Sequence, residues 1–126
     1  MADERDLVAE LRVALAPTPV YWGFAPFETA SEPPSLPIVV VQRLTFDTAA
    51  YEDMCLGPYV GDTVIVIDAW TAGYEAGRAL STQIRDAVAL ANGDVWRLRS
   101  ESDFFDPNAR AWRIQGQWLS AGRPPL

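Results

Sequence analysis

Apolar residues recur along this chain with two different periods. Between Glu4 and Ala16, the residues Leu7, Val8, Leu11, Ala14 and Leu15 fall three and four apart, which places them on one stripe of a helix. Asp3 is a suitable N-cap, and Pro17 and Pro19 end the segment. Val20 to Phe24 reads as a short aromatic strand, and Ile38 to Phe46 as a second strand rich in β-branched residues. Gly61 to Trp70 is a third. Its centre, Val64-Ile65-Val66-Ile67, is apolar at every position, as a strand must be when both faces are covered. The helical period then returns from Tyr74 to Asn92, with Ala76, Leu80, Ile84, Ala87, Val88 and Ala91 as the buried stripe and Asn92-Gly93 at the C-terminal end. Gly77 inside this helix costs about 1 kcal/mol relative to alanine, so close packing is expected there.

The last stretch alternates with period two on either side of Asp106-Pro107-Asn108, good turn chemistry. Trp96 and Leu98 share one face of the first of these strands, and Arg97, Arg99 and Glu101 share the other. In the second strand Trp112, Ile114, Gly116 and Trp118 take the core face, while Arg113, Gln115 and Gln117 turn outward. Facing core to core, and pairing opposite charges, predicts a register with Glu101 across from Arg113, Leu98 from Gly116 and Trp96 from Trp118.

The expected fold is therefore α+β. A small, mostly antiparallel sheet of about four to five strands carries two helices packed on it, in the order α-β-β-β-α-β-β, as a single domain over residues 1–126. Two connections stand out. Residues 25–37 carry Pro26, Pro33, Pro34 and Pro37 and read as an extended loop with polyproline character. Asp47 to Val60 is long and apolar for a link between strands. Its Tyr51, Met54, Leu56 and Tyr59 serve either as a lid on the core or as anchors for a partner.

Charge narrows the chemistry. The net charge is −7, all ten basic residues are arginine, and histidine is absent. That removes the commonest general base and metal ligand, and the absence of lysine removes Schiff-base chemistry and a phosphate-loop lysine. Cys55, the single cysteine, has no candidate base beside it and reads as an incidental thiol, with an intracellular origin as the default. The carboxylates Glu52-Asp53 and Asp103 with Asp106 could pair for acid–base work or hold a hard cation, but solvation and turn formation account for them more simply. Core packing is the better reading of the five tryptophans. No apolar run approaches the ~18 residues of a membrane span, and an acidic chain has little with which to neutralise phosphates. Neither an enzymatic activity nor a cofactor or metal is expected. The outward arginines Arg97, Arg99 and Arg113 form either a solvated face or, with salt bridges, a face between subunits.

Three blocks carry a resemblance: the strand ending in Asp68-Ala69-Trp70, the Ala-rich helix opening at Tyr74-Glu75-Ala76, and Ser100-Glu101-Ser102-Asp103-Phe104-Phe105-Asp106-Pro107 followed by Arg110-Ala111-Trp112-Arg113. Together they resemble the tail-completion, or tail-terminator, proteins of long-tailed bacteriophages. The resemblance covers the second half of the chain well and the first half loosely. It implies a small sheet with helices on it and six copies forming a ring. That ring stops growth of the tail tube, joins the tail to the head connector, and lets double-stranded DNA pass through its lumen without specific binding. It further implies a virion protein of the tail or neck, assembled in the host cytoplasm, with the tail tube and connector proteins as partners. On that reading Tyr51, Met54, Leu56, Tyr59, Arg97, Arg99 and Arg113 are the candidate interface residues, and the doubly apolar third strand and the apolar 47–60 loop answer a need for neighbouring copies. Other neck proteins, of head-closure or adaptor type, share this size and composition. A small ligand-binding or enzymatic domain using the acidic residues is the alternative outside that setting.

Overall fold

A computed structural model describes residues 4–23, 35–44, 63–92 and 96–120. In chain order these form α1 (Glu4–Ala14), β1 (Val20–Trp22), β2 (Ile38–Leu44), β3 (Thr63–Thr71), α2 (Tyr74–Asn92), β4 (Trp96–Asp106) and β5 (Ala111–Ser120). The α+β class and the order of elements are those read from the sequence. The strands make one five-stranded sheet in the order β1-β2-β3-β5-β4. Only the β1–β2 pair is parallel, with Val20 opposite Val39; the other three pairs are antiparallel. Among the described residues the edges are therefore the three-residue β1 and the eleven-residue β4.

Both helices lie on one face. Leu7, Val8, Leu11 and Leu15 from the α1 end join Leu80, Ile84, Ala87 and Val88 of α2 over Val39, Val41, Ile65, Ile67, Ala69, Ile114 and Trp118. Ala14 and Ala76, expected in the two stripes, are exposed; Gly77 and Ser81 are the buried positions at the start of α2. Gly77 is there because a larger residue does not fit. A Cβ on it would lie 2.8 Å from Thr71 Oγ1 and 3.1 Å from Ile114 Cγ1, and the Thr71 hydroxyl is held by its 2.7 Å hydrogen bond to Gly73 O. The opposite face has its own cluster, Ile38, Val40, Trp70 and Ala111, against which Tyr21, Leu36 and Ala109 pack. Every residue of β3 from Val64 to Thr71 is buried. One chain thus satisfies the doubly apolar pattern of that strand, which does not of itself call for a second copy.

The final hairpin departs from expectation. Leu98 pairs with Trp118, but Ser100 pairs with Gln117, so Arg99 is an extra residue, a β-bulge. Trp96 lies across from Ser120, Glu101 from Gly116 and Phe104 from Arg113. The predicted pairings of Glu101 with Arg113, Leu98 with Gly116 and Trp96 with Trp118 are therefore wrong: the turn closes with Asp106 across from Ala111 and not about Pro107, which displaces the whole register, and the strand does not keep one alternation along its length. The bulge inverts it. Beyond Arg99, Glu101, Asp103 and Phe105 stand on the helix side, across from Gly116, Ile114 and Trp112, and Ser100, Ser102 and Phe104 stand on the other. Gly116 makes room for the indole of Trp118, whose Nε1 would be 3.1 Å from an added Cβ.

The crowding at Gly77 has a measurable sign. Helix propensity alone makes Gly77→Ala stabilising by about 1 kcal/mol; the steric conflict with Thr71 and Ile114 makes it destabilising, by about 1–3 kcal/mol. Urea unfolding should show a lower midpoint for the variant, and a raised midpoint would mean that this contact is slack.

Candidate interface on the β4–β5 hairpin

The bulge gives the hairpin two chemically different sides. On the helix side, Glu101 meets α2. Arg78 Nη1 donates to Glu101 Oε1 at 2.5 Å. Arg85 donates to Oε2 through Nη2 at 2.5 Å and Nε at 3.2 Å, and Ser81 Oγ adds a 3.1 Å hydrogen bond to the same oxygen. Arg78, Ser81 and Arg85 are three and four apart, one stripe of α2, which is why one carboxylate can take all three. Burial pushes the Glu101 carboxyl up, but the hydrogen bonds from Arg85, Arg78 and Ser81 outweigh it and hold its pKa below the ordinary glutamate value.

Further along the same side, the Tyr74 hydroxyl donates to Asp103 Oδ2 at 2.8 Å. That hydrogen bond, followed by desolvation and the Asp103 charge, raises the tyrosine pKa. Tyr74 and Phe105 each stand edge-on to Trp112, with ring centroids 5.0 and 5.6 Å away. Tyr74 and Phe105 remain 40% and 47% exposed, so this corner is an aromatic patch beside a carboxylate. Asp106 Oδ1 accepts the amide hydrogens of Asn108 and Ala109 and closes the turn, where Arg110 has a left-handed φ of 52°. Asp103 and Asp106 are thus occupied separately and form no carboxylate pair.

On the far side, Arg113 is half-buried and already engaged within the chain. It donates through Nη2 to Asp68 Oδ2 at 2.7 Å, with its guanidinium 4.9 Å from the Trp70 ring centroid and 5.3 Å from that of Phe104. The Asp68 side chain is 2% exposed. Burial of such a pair costs desolvation that its attraction only offsets when the remaining groups are satisfied; here Asp68 Oδ1 and Arg113 Nε have no hydrogen-bond partner among the described residues. The acid inside the apolar run Val-Ile-Val-Ile-Asp-Ala-Trp was the available signal that a cation had to come to it.

Arg97 and Arg99 differ from Arg113. Both are exposed, on the first half of the edge strand β4, and neither makes an ion pair among the described residues. Tyr51, Met54, Leu56 and Tyr59, with Cys55 and Glu52-Asp53, lie outside the described residues. Among the described residues no group of three or more histidine, cysteine or acidic side chains is placed to hold a metal ion, and no helix is long and apolar enough to cross a membrane. No protein-family model matches the chain, and no curated protein matches it.

The Glu101 cluster makes a pH-dependent contribution to stability. Because the folded pKa is lowered, the contribution is present above the unfolded value near 4.5 and is lost as pH falls through the folded value. Its arginines are 42% and 43% exposed, which limits its worth. Glu101→Gln should cost about 1 kcal/mol at pH 7. The difference from wild type should shrink as the pH is taken below 4.5 in parallel thermal melts; a constant difference would assign the loss to packing and not to charge.

Proposed function

We propose that the chain is a structural protein of a bacteriophage neck: a ring of identical subunits, six by the resemblance, that caps the tail tube and joins it to the head connector. Arrangement carries this reading. The sequence blocks that bear the resemblance fall on β3, α2 and the β4–β5 hairpin, which are contiguous in one small sheet with both helices on one face. Such a subunit has a helical side, a sheet side and two unequal edges, suited to heterologous contacts that close into a ring. Two surfaces remain for partners on the hairpin: the arginines of β4 and the aromatic corner at Tyr74, Phe105 and Trp112. The net charge of −7 without lysine fits a lumen that duplex DNA passes without adhering. In this role the protein acts by shape and contact, with no catalytic step and no cofactor.

Negative-stain microscopy of the purified protein, alone and with the ends of tail tubes, tests this directly. Rings with an open centre, or tubes capped by a ring-shaped density, are expected. Particles that stay single in both conditions would overturn the proposal.

A further inference from the structure

The edge strand β4 carries two features that complement each other and cannot meet within one molecule. Its beginning presents Arg97 and Arg99, exposed and without an ion pair among the described residues in a chain with 17 acids. Its end presents Asp103, oriented by Tyr74, next to the half-exposed rings of Tyr74 and Phe105. A carboxylate beside aromatic rings suits a guanidinium, which takes the ion pair through its planar donors and lies favourably against a ring face. Arg97 and Asp103 are six residues apart on one strand, about 20 Å at 3.3 Å per residue, and the pairing with β5 holds them apart. Among the described residues Arg78, the cation nearest Asp103, is already taken by Glu101, so a full complement for either end is sought on another copy.

We infer that the Arg97–Arg99 end of β4 in one copy docks on the Asp103, Tyr74 and Phe105 corner of the next copy of the same chain. The occupant is a second copy because both halves of the contact are on this chain. An end that meets the opposite end of its neighbour makes a head-to-tail contact, and repeated head-to-tail contacts close a ring when the rotation from copy to copy closes, and otherwise make a filament; in that sense the inference rests on the ring reading. The contact is made by side chains and not by adding a strand to the sheet. The bulge at Arg99 distorts the β4 edge, and flanking charges oppose ladder formation there.

The test is a charge exchange between two variants, Arg97→Asp with Arg99→Asp in one and Asp103→Arg in the other, followed by sedimentation velocity. Wild type should self-associate. Each variant alone sets like charges against each other and should lose at least about tenfold in association, roughly 1.4 kcal/mol. Mixed in equal amounts they should associate again, because every contact in an alternating assembly then joins opposite charges. Asp103→Asn, which leaves Tyr74 a hydrogen-bond acceptor, should weaken association without being rescued by the doubly substituted variant, and circular dichroism checks that all variants remain folded. The inference is overturned if wild type does not self-associate, if the variants associate as wild type does, or if the mixture does no better than its components. Rings that persist in both variants would sink this contact while leaving the ring reading intact. Rescue in assemblies that are not rings would do the reverse.

Discussion

One extra residue organises the functional side of this molecule. An antiparallel strand alternates faces strictly, so the single insertion at Arg99 turns over every side chain that follows it. Without it Glu101 would point away from the helices, its carboxylate far from α2. With it, Glu101 stands beneath Arg78, Ser81 and Arg85 and binds the edge strand to the helix layer. Asp103 and Phe105 follow to the same side and build the aromatic corner with Tyr74 and Trp112, while Phe104 goes to the other side and covers Arg113. The same insertion spoils the β4 edge as a template for strand addition, which a long unprotected edge would otherwise invite.

The sheet beneath is held in a different way on each face. The helix face is an apolar core in which Gly77 lets α2 approach Thr71 and Ile114. The far face mixes an apolar cluster with a buried ion pair, Asp68–Arg113, sandwiched by Trp70 and Phe104. Replacement of such pairs by packed hydrophobes is often neutral in energy. Its effect here is positional: the pair ties the centre of β3 to β5 and fixes which rings flank the hairpin.

Much of the fold was legible because it is written in periods. The spacing of Leu80, Ile84 and Val88 bounded α2 at Tyr74 and Asn92, and the unbroken apolar run in β3 announced burial on both sides. Parity along β5 was also correct, with Ile114 and Trp118 in the core. The hairpin register was not legible, because the turn closes between Asp106 and Ala111 and not about Pro107, and nothing in Trp-Arg-Leu-Arg-Ser-Glu marks which residue is extra; that depends on what α2 offers above it. The candidate interface divides accordingly. Arg97 and Arg99 are exposed as expected, whereas Arg113 belongs to Asp68, a long-range partner that strand parity alone cannot reveal.

The functional side of the hairpin depends most on that bulge, and the cross-strand register reads it directly. Nuclear Overhauser contacts between β4 and β5 should pair Leu98 with Trp118 and Glu101 with Gly116, with the offset changing by one at Arg99. A single uninterrupted register, with Glu101 across from Arg113, would contradict it: the Glu101 cluster, the aromatic corner and the contact proposed between copies would all lose their basis.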